Sequence, residues 1–360
     1  MIPYFILIAL PILGCLVVKK IRLTSGKKVL YETETASIDV FMLFFFLLLA
    51  CRNIQCGIDT KQYLRLFHEY SAQSIPQLFS SYSHELGYKL LNKLIGVTTG
   101  NYQVLLMVVA IICVFPLWYF YRRESESPLL TIALFLTVAP YMMYFSGMRQ
   151  AIAISLGIPV WYAAKNKKLG WFVVWVLLAM QFHTSAFMLF LLYPLYHAKI
   201  TVKWLWFVIP AMILIFIFRT SIFGFMFKLL WKEYEVTKAT GAKNILILLV
   251  LFGLYSFIIP SEEIMDKDTV AMRNILLLSI VLQIFAMLHP LSMRMNYYFL
   301  LFVPILIPKI ASRSKIQFAQ ISKLSIVVMT AYFMCYFVSR VITDDDALNI
   351  FPYIPFWRNG

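Results

Sequence analysis

The chain is a succession of apolar runs separated by short charged loops. The runs fall near residues 2–18, 38–51, 104–121, 129–145, 150–164, 170–182, 185–198, 204–218, 244–259, 274–289, 295–308 and 324–340. A helix of about 20 residues crosses a hydrocarbon core of about 30 Å. Inside such a core only helices and closed barrels satisfy their own backbone. The pattern predicts an all-α, polytopic integral membrane protein with about 12 transmembrane helices, a single transmembrane domain over residues 1–360. Only 14% of residues are charged, against about 25% in a soluble domain, so the soluble classes are excluded. The net charge of +15 does not predict nucleic acid as a partner, because the basic residues are scattered through loops and form no single patch. Orientation and anionic lipid headgroups account for them.

Lys19, Lys20, Arg22, Lys27 and Lys28 follow the first run and place that loop in the cytoplasm. The first run has no charged leader or evident cleavage site, so it reads as a retained helix. By alternation, Arg122, Arg123, Lys165, Lys167 and Lys168 are also cytoplasmic. Gly170–Ala198 admits two readings. As one helix it would be about 44 Å long, giving 11 spans by the same count. As two spans it is a short hairpin turning at Gln181-Phe182-His183-Thr184-Ser185, with a polar turn that must line protein or water. The hairpin is preferred, because it puts His183, Arg149 and Arg294 on one side.

Arg149 then faces outward, between two apolar segments. Basic residues are disfavoured there, and a guanidinium near membrane depth needs a cavity or an anionic partner. Arg52 and Arg294 occupy comparable positions. Each has a plainer reading as an interfacial anchor or loop charge. Residues 52–101 form an outer loop with two amphipathic helices, one carrying Tyr63 and Tyr70 and the other following Glu85. Asp59 or Thr60 can cap the first of these. Residues 219–243 form a second outer loop. Cys51 and Cys56 read as unpaired, packed thiols rather than a disulfide. His289, before Pro290, reads as structural.

Arg52, Gly57-Ile58-Asp59-Thr60-Lys61-Gln62-Tyr63, Glu85-Leu86-Gly87-Tyr88, Met148-Arg149-Gln150-Ala151-Ile152-Ala153 and Phe182-His183-Thr184-Ser185-Ala186 follow one another in order. With Arg294-Met295-Asn296-Tyr297-Tyr298-Phe299 they resemble the EpsG-type branch of the Wzy polysaccharide polymerases over most of the chain. The resemblance implies a GT-C-like architecture and metal-independent glycosyl transfer without a cofactor. It also implies O-antigen or exopolysaccharide synthesis from undecaprenyl-pyrophosphate-linked oligosaccharide at the outer face of the bacterial inner membrane. Membrane lipids and a chain-length regulator are its expected partners.

Such a transfer releases a lipid pyrophosphate. Arginine suits phosphate through its planar donors, and no metal-ligand pattern is visible. Arg149 and Arg294 are therefore expected to hold the pyrophosphate, with Arg52 assisting. The attacking hydroxyl gains from a base, for which His183 and Asp59 are both candidates. Glu85, Tyr63 and Tyr88 are candidate glycan contacts, against plainer readings as a solvated helix face and an aromatic belt. Two other functions compete. A lipid-linked oligosaccharide flippase or transporter would show interrupted helices at matched positions in two halves, and only the His183 region is clearly interrupted. A membrane sugar acyltransferase would place an acid beside its His, and His183 has no adjacent Asp or Glu.

Overall fold

The computed structural model describes residues 3, 4, 6, 7, 9, 24–25, 28–29, 35–80, 85–138, 140–230, 242–258, 265–313, 349–350 and 352–358. Apart from a two-residue ladder pairing Thr24–Ser25 with Lys28–Val29 and an isolated bridge between Arg52 and Pro355, the regular structure among them is helical. The helices are α1 (Thr35–Ala50), α2 (Thr60–Ala72), α3 (Ile75–Ser80), α4 (Leu86–Thr99), α5 (Tyr102–Glu124), α6 (Pro128–Thr137), α7 (Met143–Ser146), α8 (Met148–Ser155) and α9 (Gly157–Lys165). After them come α10 (Leu169–Met180), a 3-10 stretch (Thr184–Leu191), α11 (Leu192–His197), α12 (Leu205–Leu230), α13 (Ala242–Ile258), α14 (Lys267–Ala286), α15 (Pro290–Leu300) and α16 (Val303–Ser312).

Three helices among the described residues are long and apolar enough to cross a membrane: Tyr102–Glu124, Val202–Met226 and Lys267–Ala286. A fourth span arises if the pair Pro290–Leu300 and Val303–Ser312, bent by 47°, counts as one. The other expected spans come out short or broken. The run at 150–164 divides into α8 and α9 at Leu156, and the run at 185–198 becomes the 3-10 stretch and α11. The runs at 2–18 and 324–340 lie wholly or largely outside the described residues, as do Asp344–Asp346. α12 continues to Leu230, so the first half of the expected loop at 219–243 is helix. The chain is thus an all-helical membrane protein.

The helix boundaries have local causes. α4 stops at Gly100, whose φ of +63° is left-handed. Asn101 then starts α5 by accepting the Gln103 N–H at 2.8 Å. At its far end α5 carries Arg122 and Arg123 in the last turn, where a helix dipole favours cations. The bend before α16 follows from its prolines. Ile305 N–H reaches Phe302 O rather than Leu301 O, and Tyr121 Oη donates to Leu301 O instead, at 2.9 Å. Pro308 has no N–H for Pro304 O, and Thr131 Oγ1 donates to that carbonyl at 3.1 Å. Both carbonyls are satisfied without water, as an apolar surrounding requires.

Gly170–Ala198 is a hairpin. Phe172 on α10 meets Phe190 and Tyr193 on the returning arm, with ring centroids 6.1 and 5.2 Å apart. The core beneath is aromatic. Phe45 of α1 packs against Phe135, Tyr141, Tyr144 and Phe145, and buried Trp161 against Tyr196 and Phe302.

The ends of the bundle differ. At the end where α5 finishes, buried Lys309 pairs with buried Glu124 at 2.9 Å. Lys165 bonds Asp268, and Arg313 joins Glu126 and Asp266 at 2.7 and 2.6 Å. These pairs tie the ends of α5, α9, α14 and α16 together. At the other end residues 349–350 and 352–358 run back over the loop after α1. Asn53 N–H donates to Ile354 O and Phe356 N–H to Cys51 O, both at 2.8 Å, and Gly57 N–H donates to Asn349 O at 2.7 Å. Gly57 has φ +102°, and a Cβ there would stand 2.4 Å from Phe145 O, so only glycine fits. Cys51, Cys56 and Cys113 are free thiols.

Candidate functional site

Arg149 is the second residue of α8. Its Nη1 lies 2.6 Å from Glu85 Oε2. Glu85 sits at the start of α4, where its side chain makes no capping bond. The carboxylate is turned across to α8 and to the hairpin turn instead. Its Oε1 accepts the Thr184 N–H at 2.9 Å and the Thr184 hydroxyl at 3.1 Å. Burial alone would raise the Glu85 carboxyl. The Thr184 N–H and the Arg149 guanidinium outweigh it and hold the group below the ordinary carboxylate value. Glu85 is therefore a charged clamp between three segments. Fixing Arg149 leaves its Nε without a hydrogen-bond partner, and the side chain is 25% exposed.

Beneath Arg149, Tyr63 and Tyr88 are buried and packed edge to face, with centroids 5.7 Å apart. The guanidinium carbon stands 6.0 Å from the Tyr88 ring centroid. Rings buried this way form the floor under the cation and offer no face on which a sugar could stack.

His183 occupies the hairpin turn at the head of the 3-10 stretch. Its Nδ1 accepts the Ser185 N–H at 3.3 Å and lies 3.1 Å from Ser185 Oγ, which in turn lies 3.0 Å from Tyr298 Oη. With Nδ1 accepting a backbone N–H, the neutral ring carries its proton on Nε2. The ring thus presents a donor to the site, and it acts as a base only if the cap to Ser185 breaks. His289 uses the same device, Nδ1 accepting the Leu291 N–H at 3.1 Å to start α15, a structural use of the side chain.

Arg294 lies one turn before Tyr298 on α15, at the i, i+4 spacing that puts both on one face. Its carbonyl accepts Gln150 Nε2 at 2.7 Å, so the side chain next to Arg149 holds the backbone of Arg294. Its side chain is exposed. The structure thus gathers Arg149, Glu85, His183 and Arg294 at one end of the bundle, with Thr184, Ser185, Tyr298 and Gln150 as holding residues. Those four were not singled out from the sequence, although Tyr298 stands in register with Arg294 and Thr184 and Ser185 follow His183 directly.

Asp59 and Arg52 are placed differently. Asp59 heads α2 but makes no side-chain capping bond. It is half-buried and one turn from Tyr63, with its carboxylate uncommitted to the cap. Arg52 is only 1% exposed. Its Nη1 donates to Leu49 O at 2.8 Å, at the C-terminus of α1, while Nε and Nη2 have no partner. It is an interior cation at a helix end, outside the contacts that join Glu85, Arg149 and His183. Among the described residues, no three His, Cys, Asp or Glu side chains stand together as a metal site.

Gly87 fits the clamp closely. A Cβ there would lie 2.8 Å from Gln181 Cβ and 2.9 Å from Gln181 O, and Tyr88 N–H donates to that carbonyl at 3.2 Å. Gly87→Ala is expected to push α4 off the hairpin turn, at a cost of roughly 1–3 kcal/mol. It should lower the melting temperature and cut product formation together. A variant with unaltered melting and product would show that the contact yields freely.

No curated protein and no solved structure matches the chain. One protein-family model does, that of the EpsG family, and it covers residues 37–354, from the start of α1 to the segment that returns over Arg52. The match spans every residue of the Glu85–Arg149–His183 cluster, and the chain belongs to the EpsG family.

Proposed function

We propose that the chain is a polysaccharide polymerase. It transfers an oligosaccharide repeat unit from undecaprenyl pyrophosphate to a second lipid-linked glycan, at the outer face of the bacterial inner membrane. EpsG family membership supports a part in polysaccharide biosynthesis. The observation that carries the reading further is Arg149, clamped by Glu85 at 2.6 Å with Nε unpaired and Arg294 exposed nearby. Glu85 pairs with one guanidinium and leaves the other to face a polyanionic leaving group. In the remaining proposal the chain crosses the membrane about 12 times, with short and broken helices completing spans beside the three long ones.

In the reaction an acceptor hydroxyl oxygen forms a bond to the anomeric carbon. The bond from that carbon to the pyrophosphate oxygen breaks, and its electron pair leaves with the pyrophosphate, held by Arg149 and Arg294. The hydroxyl proton passes to a carboxylate. Asp59 is assigned this role, because Glu85 is committed to its ion pair and His183 presents a donor. His183 Nε2–H then orients a sugar or pyrophosphate oxygen. Arg52 takes no part in this assignment.

The test is the glycan ladder of a strain lacking the chain, run beside the complemented strain. A single lipid-linked repeat unit in the deletion, with the ladder restored on complementation, supports polymerisation. Single units held on the cytoplasmic face would assign transport instead. A full ladder lacking acetyl groups would assign acyl transfer.

A further inference from the structure

A groove of about 950 Å³ lies between α5 on one side and α9 and α10 on the other. Its walls are apolar and open outward: Ile111, Phe115 and Trp171 are 54%, 61% and 60% exposed. Along α5 it runs from Ile111 to Arg123, about 18 Å at 1.5 Å per residue. That is little more than half of a core of about 30 Å. The groove therefore has the depth of one leaflet, and it opens at the basic end of the bundle, away from Arg149.

Charge distinguishes its mouth from an ordinary lipid-facing surface. Arg122 pairs with Asp39 at 3.3 Å, and Lys165 is bonded to Asp268. Neither Arg123 nor Lys168 has a carboxylate within ion-pair distance among the described residues. Arg123 donates to Tyr119 Oη at 2.8 Å, which leaves its charge uncompensated. Two uncompensated cations thus stand at the rim of an apolar trough one acyl chain deep.

We propose that this groove holds one phospholipid with an anionic headgroup. Its phosphate lies between Arg123 and Lys168, and an acyl chain runs along Phe115, Ile111 and Trp171. A zwitterionic lipid would match the walls equally well but would bring a cation to a mouth that already holds two. The site is a lipid site of the basic-end leaflet, separated from the Arg149 cluster by most of the length of α5.

The probe is the full chain in nanodiscs of equal phosphatidylglycerol and phosphatidylcholine, released into native mass spectrometry. Wild type is expected to retain one phosphatidylglycerol with roughly tenfold preference. R123Q/K168Q should lose that preference while staying monodisperse, since both side chains are exposed. Ile111→Trp, which fills the trough, should lose the lipid of either class. Four results would overturn the proposal: undiminished phosphatidylglycerol retention in R123Q/K168Q, no lipid retained on wild type, a lipid-free dimer closed through this face, or added polyprenyl phosphate displacing phosphatidylglycerol.

Discussion

Arg149→Ala is expected to abolish long glycan chains, with a fall in transfer of roughly 10²–10³-fold, the usual effect of removing one preorganised donor from a developing anion. The protein should still accumulate in the membrane. Arg149 shares its position with Glu85 in a partly exposed pair, and such pairs contribute modestly to stability. Loss of the guanidinium also leaves Glu85 facing Thr184 alone, which adds a negative charge where a polyanion must bind. Arg149→Lys should rescue only part of the activity, because an ammonium cannot hold Glu85 and present a second planar donor at once. The readout is ladder length normalised to membrane abundance. Normal chain lengths from stably inserted Arg149→Ala would remove this residue from the reaction.

Lys309→Met should produce the largest loss of stability. Lys309 and Glu124 are both 8% exposed at their side chains and 2.9 Å apart. Removing the ammonium strands a buried carboxylate, whose other cation, Lys165, is 3.8 Å away and already bonded to Asp268. Breaking a buried pair from one side costs about 3–5 kcal/mol. The protein should melt well below wild type in detergent, followed by its tryptophan fluorescence. Glu124→Leu combined with Lys309→Met should recover most of the loss, since an apolar pair of similar volume avoids the desolvation cost. Equal melting of wild type and Lys309→Met would mean that the two charges are solvated. Ladder length in the double variant separates stability from chemistry, because this pair lies at the opposite end of the bundle from Arg149.

Much of the helical character could be read from the apolar runs, and so could the break at His183, because a polar pentapeptide between two greasy arms has nowhere else to go. The breaks at Leu156 and before Val303 were not visible in that way. Beside the second of them, Tyr121 and Thr131 take the carbonyls that the prolines of α16 leave over. At the site, the sequence pointed to Arg149 and Glu85 separately, for anion and glycan. Their pairing spans 64 residues, and no local pattern records it. At Asp59 local reasoning left a helix cap and a base both open, and the side chain makes no capping bond. Arg52 looked like an interfacial anchor because it follows an apolar run, but the returning segment at 349–350 and 352–358 covers it.

That returning segment also sets an order of events. Translation delivers residues 51–57 long before their hydrogen-bonding partners: Gln55 O waits for Asn349 Nδ2, 294 residues downstream. Until then the Asn53 and Gly57 N–H groups lack the carbonyls of that segment. The helices can enter the membrane as they emerge from the ribosome, but the cover over the loop after α1 closes only once residue 349 and those after it have been made. A chain that stalls before residue 349 would therefore be inserted and helical, yet open where the loop after α1 and Tyr4 await their partners, and limited proteolysis there would tell it from the folded protein.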